Sequence, residues 1–407
     1  MRILIAGITY APARNGQAVF TANLAEGLTR LGHTVKVIFD SYEGKSFKRM
    51  LNGVEIEGLP TLDLTWFDPL AHVALLPFRD VKRSFNEFKP EIVHIQDHYP
   101  VSRAALRLAR EQGIRVLGSN HFMPENIAQI APSLAAAGPV FKRVMWLWML
   151  DVFKRVDAAT AQSKAAADLT RAQGLNVPLT TISCGIDLNR FHPIPNIDRR
   201  KYLTRYGLNP DKKVFLFIGR VDTEKRIDVL LQAMRLVQRD DIQLGISGRG
   251  HALQHLRQLK ETLQLGERVI FTDFIPSEDL PALLNSADVF SMPSEAELLS
   301  IATLEALACA KPVLLADAVA LPEWVRPGVN GYLFKPGDAQ DAARQMELLA
   351  EQAERWPSMG QVSLEIACGH GLEDIVRKFV TLYEGLPVTR PLSQASGSMV
   401  THAVKPR

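Results

Sequence analysis

Two carboxylates, Glu297 and Glu305, stand eight residues apart in the stretch Ser294-Glu295-Ala296-Glu297-Leu298-Leu299-Ser300-Ile301-Ala302-Thr303-Leu304-Glu305-Ala306. The second half of that stretch predicts a helix. Ala302, Leu304, Ala306, Leu307 and Ala308 are strong helix formers with no Gly or Pro among them, and Lys311-Pro312 ends the run. The helix begins near Ser300, where backbone N–H groups around Ser300 and Ile301 are free to hold an anion. Glu297 then lies in the loop beside the anion, and Glu305 one to two turns into the helix. Carboxylates at these places accept hydrogen bonds from sugar hydroxyls while the helix terminus holds a phosphate. Such a division of labour suits a nucleotide-sugar. Two glutamates at this spacing also occur on solvated helices, so the neighbouring segments must decide.

Upstream, Phe215-Leu216-Phe217-Ile218-Gly219-Arg220-Val221-Asp222-Thr223-Glu224-Lys225-Arg226-Ile227-Asp228 reads as a buried strand, a Gly-Arg turn and a helix. Downstream, Lys311-Pro312-Val313-Leu314-Leu315-Ala316 reads as the next strand. In this combination the chain resembles the retaining glycosyltransferases of the GT-B fold, family 4 (group 1), including bacterial glycolipid-synthesising members. The resemblance runs from Met1 to about Leu386. It implies that Glu297 and Glu305 bind the donor sugar and ribose, that Arg220 and Lys225 after Gly219 bind the diphosphate, and that the anion site at Ser300 and Ile301 is part of the donor pocket.

The basic pair has its own chemistry. Arg presents a planar fork to phosphate oxygens and Lys a point charge, so Arg220 and Lys225 can neutralise a leaving diphosphate without a metal. No D-x-D motif is present, and His94-x3-His98 overlaps an expected strand with no further ligand nearby, so neither a metal nor a cofactor is expected. Asn15-Gly16 follows the first strand and precedes the first helix. The resemblance places a glycine pair there against the diphosphate, and only Gly16 matches. G-x-G-x-x-G is absent at this point, which argues against a nicotinamide enzyme. His121, in Gly118-Ser119-Asn120-His121-Phe122, follows a buried strand and by resemblance lines the sugar site from the opposing domain. His98 is a candidate acceptor contact, and His94 is read as structural. Gly245-x-x-Gly248-Arg249-Gly250 follows another strand, near where the family holds base and ribose. Three positions depart from the family pattern: Leu298 and Ser300 stand in glycine's usual places in the loop, and Ala310 does so at the helix end.

At 407 residues, with 47% hydrophobic and 22% charged residues, the chain predicts two globular domains. No apolar run of spanning length occurs. Met1-Arg2-Ile3-Leu4-Ile5-Ala6-Gly7 reads as a strand rather than a signal peptide. Cys184, Cys309 and Cys368 show no paired spacing, which suits a reduced, cytoplasmic protein. The net charge of +3 divides unevenly: through Arg190, 22 Lys/Arg face 17 Asp/Glu, a surplus of five.

Apolar strands alternate with amphipathic helices in both halves, which predicts parallel sheets covered on both faces. The expected architecture is α/β: two doubly wound Rossmann-like domains facing a central cleft. An acceptor-binding domain spans 1–190 and a nucleotide-sugar-binding domain 191–365. By the resemblance, a helix over 366–386 returns to the first domain, and the Pro/Ser/Thr-rich stretch 387–407 is expected to be a disordered tail. The proline-bearing stretch Asn189–Pro210 reads as linker. The segment Phe141–Leu150 carries Trp146 and Trp148 beside Lys142, Arg143, Lys154 and Arg155. It is either a core helix or an interfacial one, with Trp66-Phe67 and Phe78-Arg79 adding to the second reading. The expected activity is metal-independent, retaining transfer of a hexose. The favoured acceptor is a membrane lipid of the diacylglycerol type, reached by a cytoplasmic protein peripheral on the inner face of the cell membrane. The alternatives are a soluble or polysaccharide acceptor, and a non-catalytic nucleotide-sugar-binding protein.

Overall fold

A computed structural model describes residues 1–11, 15–63, 72–74, 76–121, 123 and 138–387. The expected tail, Trp66-Phe67 and Phe122 fall outside the described residues, the tail from residue 388 onward.

The first sheet contains β1 (Arg2–Gly7), β2 (Thr34–Asp40), β3 (Phe47–Leu51), β4 (Val54–Leu59), β7 (Ile92–Ile95), β8 (Arg115–Ser119), β9 (Ala158–Ala161) and β10 (Leu179–Thr181). Its order is β10-β9-β8-β7-β1-β2-β4-β3, parallel except for the β3–β4 edge pair. A short antiparallel pair, β5 (Leu62–Asp63) and β6 (His72–Val73), stands apart. The second sheet contains β11 (Lys213–Ile218), β12 (Ile242–Ser247), β13 (Val269–Asp273), β14 (Val289–Met292), β15 (Val313–Ala316) and β16 (Gly331–Phe334), ordered β13-β12-β11-β14-β15-β16. Both sheets reverse direction beside their first strand, between β1 and β7 and between β11 and β14. In open α/β sheets the crevice at such a reversal is where ligands bind. This is the doubly wound pair that the alternating pattern predicts.

Helices α1 (Gly16–Arg30), α2 (Phe78–Phe88), α3 (Pro100–Gln112), α4 (Pro139–Phe153) and α5 (Lys164–Ala172) belong with the first sheet. Within the expected linker lies a short helix, α6 (Arg199–Arg205), started by Asp198, whose carboxylate accepts the Lys201 N–H at 2.9 Å. That cap offsets the lack of periodicity that had marked the stretch as coil. The second sheet carries α7 (Ile227–Leu236), α8 (Leu253–Thr262), α9 (Leu280–Ser286), α10 (Ile301–Ala308), α11 (Ala339–Glu351) and α12 (Trp356–Cys368). The last helix, α13 (Leu372–Gly385), lies on α1, its Val376 so close to Gly27 that a β-carbon there would collide with it. Gly371 and Leu372 also pair with Ile186, so the outgoing and returning chains brace each other where they pass between the two units.

The apolar run at 141–150 does not divide as a purely core or purely interfacial helix. On α4, Trp146, Met149 and Leu150 are buried, and Trp148 lies edge-on to His98 with ring centroids 4.3 Å apart. Trp146 thus belongs to the core, while Trp148 is half-buried against His98 and Tyr99. The exposed apolar side chains are Val140, Val144 and Leu147, a stripe at helical spacing beside the exposed Lys142 and Arg143. Among the described residues no helix is long and apolar enough to cross a membrane.

Candidate active site

The second unit brings its charged residues to the reversal between β11 and β14. β11 is wholly apolar within, and the chain turns at Gly219 onto Arg220. The guanidinium of Arg220 is held by Asp222 at 2.5 Å and Glu224 at 2.6 Å, with half of its side chain still exposed. Both carboxylates are buried, and Asp222 also accepts the His251 backbone N–H at 2.9 Å. Burial raises the Glu224 carboxyl, opposed by Arg220 and Lys225. Lys225 reaches across to Glu297, Nζ to Oε1 at 2.5 Å, and Arg226 pairs with Glu295. The turn after β11 and the loop after β14 are thus stitched together by two adjacent ion pairs. The Ser294 hydroxyl donates to the Glu224 carbonyl at 3.2 Å and reinforces them.

Gly248, expected as a donor contact, has a structural reason to be glycine. Its φ is +142°, and a β-carbon would overlap the Gly219 carbonyl oxygen. It holds the β12 loop tight under the Gly219–Arg220 turn, so its effect on a ligand passes through that turn.

Of the three residues that depart from the glycine pattern, Ser300 at φ +73° and Ala310 at φ +53° lie in left-handed backbone, and Leu298 does not. At Ser300 and Ala310 the geometry is kept although the residue is not. Ser300 is the N-cap of α10, its hydroxyl 3.4 Å from the Thr303 N–H and 2.7 Å from the Thr303 hydroxyl. Ala310 closes the same helix, with Ala310 N–H on the Leu307 carbonyl and Lys311 N–H on that of Ala306. Glu305, on α10, is largely buried, and burial pushes its carboxyl up to about 7, with Arg190 opposing.

Across the crevice, α1 starts at Gly16 under a side-chain cap from Asn15, which accepts the Ala18 N–H at 2.8 Å. A β-carbon built on Gly16 would come within 3.9 Å of the Ile301 side chain. Two helix N-termini, one from each unit, therefore meet at the crevice, and their free N–H groups favour anionic ligands. Lys225 and Glu297 lie on the loops beside this meeting point.

His121 stands at the crevice end of β8 with both ring nitrogens engaged: Nε2 donates to the Gln96 side-chain oxygen at 2.8 Å, and Nδ1 accepts from the Gln162 amide. Burial pushes its pKa down to about 3, so the ring is neutral near pH 7. It serves a ligand only by exchanging one of these partners. Gln96, Gln162 and Asp97 were not singled out by sequence reasoning. Asp97 is buried and fixes the loop after β1 by accepting the Ile8 N–H at 2.6 Å and the Gln17 amide at 2.8 Å. Its signal was its place after a buried strand at the reversal point.

His98 does not come to the crevice surface. It is fully buried between Tyr99 and Trp148, and burial with the nearby Arg103 lowers its pKa to about 3. Its ring is fully buried, against the expectation that it faces an acceptor, so such a contact requires its neighbours to move. His94 tethers α13 to the sheet through the Tyr383 hydroxyl at 2.8 Å and meets Ser119 at 2.7 Å. Among the described residues no group of three or more His, Cys, Asp or Glu is placed to hold a metal ion.

Two doubly wound units facing a shared crevice are the GT-B architecture. The chain matches the family Glycosyltransferase Family 4 over residues 14–190 and Glycosyl transferases group 1 over residues 198–361. It belongs to the family 4 (group 1) glycosyltransferases. Among its relatives, D-inositol 3-phosphate glycosyltransferase 2 of Catenulispora acidiphila is 30% identical, the match covering 68% of this chain and 67% of that protein. The alpha-monoglucosyldiacylglycerol synthase of Streptococcus pneumoniae is 25% identical over 82% of this chain and 75% of its own. The sulfoquinovosyl transferase SQD2 of Arabidopsis thaliana is 26% identical over 68% of this chain, but the match spans about half (53%) of that protein. Of solved structures, sucrose-phosphate synthase from Thermosynechococcus elongatus superposes with a TM-score of 0.78 at 21% identity, covering 95% of this chain and 98% of that one. Anabaena HepE in complex with UDP gives 0.75 at 20% identity, covering 95% and 100%.

Proposed function

We propose that this glycosyltransferase is a retaining, metal-independent hexosyltransferase that moves a sugar from a nucleotide-sugar to a membrane lipid of the diacylglycerol type. The observation that carries the donor half is the approach of Gly16 to Ile301, which aims two helix N-termini at one place with Lys225 and Arg220 close by. That place suits a diphosphate; Glu297 then orients the sugar and Glu305 the ribose. The UDP held by Anabaena HepE is consistent with such a donor. Catalysis here is positioning and charge stabilisation: the basic pair and the helix termini take the charge that develops on the departing diphosphate. By the resemblance, the acceptor attacks C1 on the face from which the C1–O bond to the diphosphate breaks, and a phosphate oxygen of the leaving diphosphate takes the acceptor proton.

A cavity of about 540 Å³ between the two units favours a lipid acceptor over a soluble or polysaccharide one. Met123, Trp146 and Leu169 line it from the first unit, and Glu295 and Val319 from the second. Its apolar wall continues into the cluster of Met123 and Ala166 with Ala296 and Leu298, on either side of Glu297. The stripe Val140, Val144 and Leu147, flanked by Lys142 and Arg143, suits docking on the inner face of the membrane. The glycolipid in the pneumococcal relative's name, alpha-monoglucosyldiacylglycerol, accords with this choice.

The test is incubation with UDP-, GDP- and ADP-hexoses and total membrane lipid, with EDTA-treated enzyme in parallel and product anomers assigned by NMR. A glycolipid with the donor's anomeric configuration, formed equally after EDTA, is expected. Transfer only to water-soluble acceptors would replace the lipid reading. Metal-restored activity or an inverted product would sink the mechanism. Nucleotide-sugar binding with no transfer to any acceptor would leave a non-catalytic binding protein.

A further inference from the structure

We propose that Asp40 is a recognition residue of the acceptor subsite, reading a hydroxyl group, and that this subsite takes neutral polyol head groups in preference to phosphorylated ones. Asp40 is the last residue of β2, directly beside β1 in the first sheet, and the carboxyl ends of parallel strands open on the crevice. It is 5% exposed, yet neither carboxyl oxygen has a hydrogen-bond partner among the described residues. The Ala74 backbone N–H faces it from outside hydrogen-bond geometry.

Asp97 provides the contrast. It too is buried, just past the end of β7 on the other side of β1, and its carboxylate is fully used. Besides Ile8 and Gln17 it accepts the Tyr99 N–H at 3.0 Å and the Ser102 hydroxyl at 2.7 Å. One buried carboxyl holds the fold together; its neighbour holds nothing. Leaving a buried polar group unpaired is costly, so such a group stands out as one that serves a ligand rather than the fold. Burial and the charge of Asp97 push the Asp40 carboxyl up to about 8. An ionised carboxylate accepts two hydrogen bonds, and a protonated one donates one and accepts another. Either form suits a hydroxyl, which is both donor and acceptor. A phosphate dianion would instead meet the Asp97 charge in a low-dielectric setting, where like charges repel strongly. Only the word acceptor rests on the glycosyl-transfer reading above.

The experiment uses the full chain, wild type, Asp40→Asn and Asp40→Leu, with saturating UDP. Saturation-transfer NMR compares glycerol with glycerol 3-phosphate, and methyl α-glucoside with glucose 6-phosphate; thermal melts are run in parallel. Wild type is expected to bind each neutral probe at least tenfold more tightly than its phosphorylated partner. Asp40→Leu should lose at least tenfold in neutral-probe affinity with UDP affinity unchanged, and its melting temperature should rise by several degrees. Asp40→Asn, which keeps one acceptor oxygen, should retain more affinity than the leucine variant and melt no lower than wild type. Equal affinity for phosphorylated probes, no binding of any neutral probe, or variants that melt lower with unchanged polyol affinity would each overturn the proposal. Failure of wild type to bind UDP would count against the nucleotide-sugar reading, while the polyol data still decide Asp40.

Discussion

Lys225 and Glu297 neutralise each other in the ligand-free protein, so a donor must exchange one contact for another: phosphate to the lysine, sugar hydroxyl to the glutamate. Glu297→Gln should therefore leave Lys225 freer and UDP affinity equal or higher, while turnover falls. Calorimetric titration with UDP beside an initial-rate assay tests this; a parallel loss of UDP binding would show that Glu297 holds the nucleotide instead. Arg220→Ala or Lys225→Ala should each slow turnover about a hundredfold, roughly 3 kcal/mol, because the lost contact strengthens as the diphosphate departs. Near-normal rates with an unchanged melt in both would refute the assignment. Glu305 gives a pH signature. Its folded carboxyl sits near 7, above the ordinary value of 4.5, so its neutral form is favoured by folding. That contribution is complete below about pH 4.5 and is lost as pH rises through 7. Glu305→Gln should thus melt like wild type at pH 5 and higher than wild type at pH 8. A difference independent of pH would mean that burial does not govern this carboxyl.

Helix α10 is the element on which the proposed site depends, since it carries both the N-terminus proposed to hold the diphosphate and Glu305. Both its ends use left-handed residues other than glycine. At Ala310 the backbone already fits a glycine, and left-handed alanine costs about 1 kcal/mol. Ala310→Gly should accordingly stabilise the protein by about 0.5–1 kcal/mol after the unfolded-state entropy of glycine is offset. Chemical denaturation measures it; a lower midpoint would mean that the alanine methyl is packed more favourably than its φ costs. These ends were only partly legible beforehand. The helix and its capping serine followed from residue types, but which non-glycine positions adopt positive φ depends on the loop closing against Thr303 and Lys311.

At the scale of the molecule, one residue makes two of the polar contacts between the units seen among the described residues. Glu323 of the second unit accepts the Lys164 N–H at 3.1 Å and the Ala165 N–H at 2.7 Å, so it caps α5 of the first unit from across the crevice. Glu323→Ala should open the crevice on average, seen as a larger radius of gyration by small-angle scattering and a raised donor KM with little change in melt. An unchanged scattering profile would show that the remaining contacts fix the closure alone. The α4 stripe sets a second expectation. Wild type should sediment with anionic vesicles more than with zwitterionic ones, and salt should weaken this as the Debye length shrinks to about 3 Å at 1 M. Val144→Ser with Leu147→Ser should reduce binding more than serine at the buried Trp146 would through contact loss. Binding indifferent to the stripe would remove membrane docking from this helix.

Sequence alone determined the class of fold, because alternating apolar strands and amphipathic helices can bury their faces only as parallel sheets clad on both sides. It also pointed to where the chemistry is proposed to lie, since Arg220 and Lys225 follow β11, Glu297 follows β14 and Glu305 lies on the next helix, and doubly wound sheets bind ligands at strand ends. What the tertiary structure decided is which of these groups meet. Lys225 and Glu297 are 72 residues apart, and only the order β11-β14 makes their loops neighbours. The approach of Gly16 to Ile301 spans both units and has no local signature. The same holds for burial: Trp148 on His98 and the bare carboxyl of Asp40 depend on what packs above them, and residue type is silent about that. A side chain's chemistry is local, but its exposure and its partners are set by segments distant in the chain.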